Sequence, residues 1–365
     1  MQKYSQLIIN LSLLLSKPTG ISNYARNIFP HLKSLKPILL TSREYEEFDN
    51  HFIPNDLTPE QGTIGHIKRL LWTQFKLPKI YQKLNSSLLF SPAPEIPLWS
   101  SCRSVVVVHD LIPLRFPNKK SPLHPYFKYY IPKVLQQAEH IICNSQATAK
   151  DIHEILNIPS YKITPILLAY DKKHFRLLNS NQNKNKSDIP YFLYLGRHDP
   201  HKNITSILKA FSKLKDYKSY ELWLVGPKDK RYTLQLQILA KELGISKQLK
   251  VLDYVSYQEL PLLLNEALAL VFPSLWEGFG FPVLEAMACG TPVITSNISS
   301  LPEVTGDAAL LINPYVSKEI TYAMEQIITD NSLRSQLKIL GLKRAKAFSW
   351  KNTGEKTLAI LANFL

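Results

Sequence analysis

Residues 268–288 read LALVFPSLWEGFGFPVLEAMA, and the order of features in this stretch sets the fold class. The apolar run 268–272 has the length and character of a strand, and Pro273 closes it. A loop carrying Gly278 and Gly280 follows. The spacing over 281–288 is helical, with Pro282 in a first turn where its missing N–H costs nothing. Strand, glycine loop and helix make half of a βαβ unit. The same alternation continues in both directions. Downstream of residue 190, strands are expected over 191–195, 221–225, 250–252, 292–295 and 309–312, with helices over 202–214, 233–243, 256–266 and 317–329. Upstream, strands over 7–11, 37–41, 88–91, 104–109, 140–144 and 162–168 alternate with helices over 20–35, 64–84, 122–137 and 145–157. Residues 105–108 are four valines without alternation, which calls for a strand covered on both faces. The fold class is α/β, with parallel sheets wound by helices.

A chain of 365 residues is long enough for two such units. Residues 179–188, NSNQNKNKSD, have no apolar anchor and form the best linker in the chain. Two units of similar size on either side place a cleft between them, fed by the carboxyl ends of both sets of strands. The final stretch 333–365 is helical with a break near Ser349-Trp350. Hydrophobic residues at 45% and charged residues at 20% exclude a largely disordered chain. The net charge of +15 is uneven: 24 Lys and Arg face 13 Asp and Glu over 1–188, against 20 and 16 over 189–365. A basic first half favours an anionic partner, and ordinary solubility charge is the plainer alternative. Cys102, Cys143 and Cys289 lack the spacing of a disulfide framework or a zinc site, which fits a reducing compartment. The apolar stretch 7–15 is too short to span a bilayer, and Lys17-Pro18-Thr19-Gly20 offers no small-residue cleavage site.

Four stretches carry candidate chemistry. In the first, Gly278 and Gly280 leave backbone amides for a ligand at a helix start, which is a ready anion site. Glu277 in that loop and Glu285 one turn inside the helix suit a ligand that also carries hydroxyls, as ribose does. Solvated acids at a capped helix are an equal alternative for either one alone. In the second, Gly196-Arg197-His198-Asp199-Pro200-His201-Lys202-Asn203 places a guanidinium and an ammonium at the end of a strand. That pairing matches the charge that grows on a departing diphosphate. In the third, His109-Asp110 ends the valine strand, where His109 could orient a sugar hydroxyl, act as a base or cap the strand. In the fourth, Thr19-Gly20-Ile21-Ser22 marks the first strand–helix junction, with Gly20 as a left-handed turn residue. The sequence shows no nucleophile elbow, P-loop or metal-ligand cluster.

Together these residues resemble the GT-B glycosyltransferases, and specifically the retaining family 4, the group 1 glycosyltransferases. The resemblance covers essentially the whole chain. Its most specific part is the Glu-x7-Glu pattern of Glu277 and Glu285 around Gly278-Phe279-Gly280-Phe281-Pro282, followed by Cys289-Gly290-Thr291-Pro292-Val293. The stretch from Ser299 to Ala309 is similar to members that use GDP-sugars, mannosyltransferases especially. The resemblance implies two Rossmann-like domains facing across a cleft: 1–178 for the acceptor, a linker at 179–189, 190–346 for the nucleotide-sugar, and a helix at 347–365 crossing back to the first domain. It implies that Glu285 holds the ribose hydroxyls and that Glu277 contacts the donor sugar. Arg197 and Lys202 would stabilise the departing diphosphate with amides near Gly278, Phe279 and Gly280. Gly20 would shape the donor cleft, and His109 with Asp110 would meet donor sugar and acceptor. Ser22 departs from the pattern, since many relatives have a second glycine there.

The implied reaction is metal-independent and cofactor-free. It retains configuration while moving a sugar, mannose as the best match, from a nucleoside-diphosphate sugar to a glycan or lipid-linked acceptor in surface polysaccharide synthesis. No enzymic nucleophile is evident, which favours a front-face route in which the leaving phosphate helps deprotonate the acceptor. A sugar-nucleotide epimerase or phosphorylase on the same fold, or a non-enzymatic protein binding polyanions or membranes, would share some of these features. Nucleic acid is not an expected partner. The basic first half fits an anionic membrane surface on the cytoplasmic side, with Lys119-Lys120 and Tyr126-Phe127-Lys128-Tyr129-Tyr130 as contacts.

Overall fold

In the computed structural model, which describes residues 6–15, 20–118, 121, 123–179, 188–253 and 255–365, the alternating runs build two parallel sheets. The first is seven-stranded. It contains β1 (Gln6–Asn10), β2 (Ile38–Thr41), β3 (Asp49–Phe52), β4 (Ser86–Ser91), β5 (Ser104–Val108), β6 (His140–Cys143) and β7 (Ile163–Pro165). Their order is β3-β2-β1-β4-β5-β6-β7, with every pairing parallel. The second sheet holds β8 (Tyr191–Leu195), β9 (Glu221–Val225), β10 (Leu249–Leu252), β11 (Ala269–Phe272), β12 (Val293–Ser296) and β13 (Leu310–Ile312), in the order β10-β9-β8-β11-β12-β13. Strand order therefore reverses between β1 and β4 in one sheet and between β8 and β11 in the other. Loops at the carboxyl ends of those strands diverge there and open a crevice.

The valine strand behaves as its composition demands, with every residue of β5 buried. Ile8, Leu40, Leu89, Val106 and Ile141 join one core cluster of the first sheet, each with no exposed surface. The strand β3 was not expected. Its residues, Asp-Asn-His-Phe, are polar and half exposed because it is the sheet edge, where neither face must be apolar. The long helix expected over 64–84 is two helices, Gly62–Phe75 and Leu77–Lys83, parted at Lys76 by Pro78 in the second one's first turn.

The chain divides into two compact units, Met1–Leu168 with Ser349–Leu365, and Ala169–Phe348. Residues after Leu168 are tied to the second unit. Phe175 is buried, Leu178 N donates to Asn265 Oδ1 at 2.9 Å, and the His174 ring stacks on Tyr257 at 3.8 Å. The last helix, Trp350–Phe364, belongs to the first unit: Thr353 Oγ1 donates to Leu167 O at 2.8 Å, and a Cβ on Gly354 would come within 2.4 Å of His31. Most of the expected linker, 180–187, lies outside the described residues, as do Lys17, Pro18, Thr19, Lys119, Lys120 and Pro122. Among the described residues no helix is long and apolar enough to cross a membrane.

Candidate active site

In the second unit, the loops after β8 and β11 meet beside the point where strand order reverses. Leu275 N donates to His201 O at 2.7 Å, joining the two loops directly. Asn203 adopts a left-handed conformation (φ 59°), and its Nδ2 donates to Pro273 O at 3.2 Å and Pro314 O at 2.7 Å. One buried amide thus fixes three loops. Ser300 Oγ bonds the carbonyls of Glu277 and Phe279, at 3.0 and 2.8 Å, and Ser299 Oγ accepts from Glu277 N at 3.2 Å. These bonds hold the glycine loop in place.

That scaffold brings together two residues singled out in the sequence. Lys202 Nζ lies 2.6 Å from Glu277 Oε1, with both side chains largely buried, and sits 5.5 Å from the centre of the Phe272 ring. Arg197 is different. Its guanidinium is 67% exposed and pairs with Asp199 at 3.0 Å, so it has freedom to turn onto a ligand. Gly280, at φ 111°, precedes the helix Phe281–Ala288, and a Cβ there would meet Leu301 Cδ2 at 2.8 Å. Among the described residues, the amides of Phe279, Gly280 and Phe281 donate to no acceptor. Free amides at a helix start are the arrangement an anion site needs.

Glu285 is half-buried one turn into that helix, and burial pushes its carboxyl up to about 8. Its carboxylate has no hydrogen-bond or ion-pair partner among the described residues. Hydroxyls donating to it would favour the ionised form. His198 escaped separate notice in the sequence. It is 2% exposed, its Nδ1 lies 2.7 Å from Thr233 Oγ1, and its buried Nε2 has no partner among the described residues.

The first unit contributes a cavity of about 230 Å³ beside the ends of β1, β4 and β5, with His109 and Asp110 in its wall. His109 Nε2 is 2.9 Å from Pro92 O, which can only accept, so Nε2 carries the proton and Nδ1 is an acceptor. Burial holds this imidazole down to about 4, so it is neutral at pH 7. Asp110 Oδ1 accepts from Ile112 N at 3.0 Å. Gly20 begins the helix Gly20–Ile28, is not left-handed, and has open space where a Cβ would be, which corrects the turn role expected of it.

The polar floor of this cavity was not visible in the sequence. Arg69 forks onto Glu95 through Nε (2.7 Å) and Nη2 (2.9 Å), with both side chains about 5% exposed or less. Burial alone would raise Glu95, but Arg69 outweighs it and holds the carboxyl below its usual range. Tyr126 OH donates to Glu95 Oε1 at 3.1 Å, and Arg69 Nη2 donates to His66 Nδ1 at 2.8 Å. The proton of His66 is thereby placed on Nε2, which is buried without a partner among the described residues. This group corrects the surface role expected of the aromatic segment. Tyr126 stacks on Tyr130 inside the unit, and Tyr130 OH donates to Ile96 O at 2.8 Å. Only Lys128 and Tyr129 of the five face outward.

Two parallel sheets of this strand order, with a glycine loop and a Lys–Glu pair at one crevice, are the architecture of GT-B glycosyltransferases. The chain superposes on the structure of sucrose-phosphate synthase from Thermosynechococcus elongatus with a TM-score of 0.76, at 18% identity, covering 98% of each chain. The pattern of the family described as Glycosyl transferases group 1 matches residues 176–344, and that of Glycosyltransferase Family 4 matches residues 18–172. The chain is 30% identical over 334 residues to O-antigen chain mannosyltransferase RfbU of Salmonella typhimurium, covering 88% of this chain and 90% of that one. It is 34% identical over 283 residues to the serotype-specific mannosyltransferase WbdA of Escherichia coli, covering 72% of this chain but only 33% of that longer protein. The chain belongs to the group 1 glycosyltransferases.

Proposed function

We propose that the protein transfers mannose from GDP-mannose to a glycan or lipid-linked acceptor in surface polysaccharide synthesis, at the cytoplasmic side, with retention and without a metal. The observation that carries the reading is the Lys202–Glu277 pair, 2.6 Å apart and fixed beside the amides of the glycine loop. As the glycosyl C1–O bond breaks, negative charge moves onto the diphosphate, and in this reading the Lys202 ammonium and the loop amides receive it. Preorganised donors of this kind lower a barrier because they need no rearrangement as charge develops. Arg197, held only by Asp199, adds a second cation when it turns inward. Glu277 then has two roles: it holds Lys202 and presents its other oxygen to a sugar hydroxyl. Glu285 takes the ribose hydroxyls. Neutral His109 offers Nδ1 as an acceptor to a sugar hydroxyl, while the leaving phosphate takes the acceptor's proton.

The likeness to an O-antigen chain mannosyltransferase and to a serotype-specific mannosyltransferase supports mannose, and the stretch from Ser299 to Ala309 supports guanine. The test is to follow anomeric protons by NMR while the protein acts on GDP-mannose and a lipid-linked glycan extract, with and without EDTA. An α-mannosyl product formed equally in both samples is expected. A β-product, EDTA inhibition, or free mannose phosphate formed without acceptor would overturn the reading.

A further inference from the structure

The polar side chains in the wall of the first-unit cavity are largely bonded to one another or to the backbone. Glu95 accepts from Arg69 Nε, Arg69 Nη2 and Tyr126 OH. Arg69 also donates through Nη1 to Leu57 O at 3.1 Å, and its Nη2 meets His66 Nδ1. Ser22 Oγ accepts from Leu15 N at 3.1 Å, and Asp110 Oδ1 accepts from Ile112 N. The Nε2 proton of His66 is buried, out of a ligand's reach. His109 is the exception. Its Nε2–H is fixed on Pro92 O, and among the described residues its Nδ1 has no hydrogen bond.

Leu13, Leu15, Ile21, Pro94, Leu123 and Phe127 complete the wall with apolar surface. A ligand seated here meets one open acceptor and otherwise mainly hydrocarbon. A cavity of about 150 Å³ takes a benzene ring, so the 230 Å³ present here suits one six-membered ring with a small substituent. A fully hydroxylated hexose would press hydroxyls against leucine and phenylalanine side chains, where they lose water and gain no partner. A pyranose with a methyl group at C5 in place of the hydroxymethyl group removes that cost and buries apolar surface instead.

We propose that the sugar which accepts the transferred residue is a 6-deoxyhexose, its C5 methyl edge against the apolar wall of this cavity and one hydroxyl donating to His109 Nδ1. The inference rests on the reading of the protein as a transferase to a glycan, and it adds which sugar that glycan presents. An acetamido sugar suits the cavity less well, because its N–H and C=O both need partners that the wall has already engaged. A phosphate group suits it least, since the guanidinium of the wall, Arg69, is paired with Glu95.

The test is saturation-transfer difference NMR on the full chain, with GDP present, using matched methyl glycosides. Methyl α-L-rhamnoside is compared with methyl α-L-mannoside, and methyl α-L-fucoside with methyl α-L-galactoside, so that each pair differs only in the hydroxyl on C6. Methyl N-acetyl-α-D-glucosaminide is the acetamido probe. The 6-deoxy member of at least one pair is expected to bind roughly tenfold to a hundredfold more tightly than its partner, the range an apolar pocket achieves against an added hydroxyl. Its C5 methyl protons should take up the most saturation. Ile21→Asn places an amide in the wall at a side chain that is 38% exposed, and should cut the preference severalfold; a melting curve of the variant reports its folding. Equal binding within both pairs, tighter binding of the hydroxylated members or of the acetamido sugar, or no saturation of any glycoside overturns the proposal. So does a preference that Ile21→Asn leaves unchanged, since the sugar then sits elsewhere. The GDP thermal shift is a separate readout: its absence would count against the donor reading and leave the sugar preference standing.

Discussion

At the scale of single residues, Glu285 makes the sharpest claim. Its carboxyl is pushed up to about 8 by burial, against an ordinary 4.5, so the folded protein retains a proton that the unfolded chain has lost between those values. Rising pH in that window therefore favours unfolding. Wild-type Tm should fall from pH 5 to pH 8 relative to Glu285→Gln, and parallel curves would contradict the assignment. Nucleotide binding should also release a proton, seen as a dependence of calorimetric enthalpy on buffer ionisation. Glu95 is the opposite case, a carboxylate kept ionised by Arg69. Glu95→Ala leaves that guanidinium buried and unpaired and should cost about 3–5 kcal/mol in urea unfolding. The positions of Glu277, Glu285, Arg197 and Lys202 in the fold were legible in the sequence because each sits at a fixed offset from a glycine or a strand end. His66, Arg69, Glu95 and Tyr126 were not, because only the packing of distant segments turns an ordinary-looking helix and loop into one network.

At the scale of elements, the loops are set by backbone geometry. Gly280→Ala puts a Cβ on a residue at φ 111° and against Leu301, and should cost about 1–2 kcal/mol for the backbone alone. Nucleotide binding should weaken with it, because the amides beside it move. Asn203→Ala unties the loops at residues 273 and 314 from the Lys202 turn. Differential scanning calorimetry should show a modest loss of stability, and nucleotide titration a larger loss of affinity; equal binding would sink the claim that this amide positions Lys202. All six strands of the second sheet were legible: β8, β9, β11 and β12 are largely buried apolar runs, and the partly exposed edge strands β10 and β13 still carry leucines with Val251 or Ile312. The edge strand β3 was missed because an edge needs no apolar pattern. Gly20 was misjudged because a glycine at a helix start need not be left-handed.

At the scale of the whole molecule, each unit repeats one design: a parallel sheet whose order reverses beside the loops that bear its polar groups. The reversal is invisible in the alternation of strands and helices, which specifies a parallel sheet but not the sequence of its strands. The division after Leu168 was hidden for a related reason, since the contacts of His174, Phe175 and Leu178 with the second unit are made by segments far apart in the chain. The residues of the second-unit crevice were placed by the sequence almost entirely, because they lie in short loops that directly follow strands. The first-unit cavity depends on which helix face the fold turns inward, which no single stretch of sequence specifies.

The central claim is that the Lys202–Glu277 crevice binds a nucleoside diphosphate through Glu285, and a nucleotide thermal-shift panel tests it most directly. A ligand bound only by the folded state stabilises it by about 2.7 kcal/mol at a hundredfold excess over Kd. GDP, UDP, ADP and dTDP would be compared on wild type, Glu285→Ala and Lys202→Ala. The account predicts that GDP raises the Tm of wild type and that both variants lose the shift. A GDP shift that survives in both variants, or no shift with any nucleotide, would contradict it.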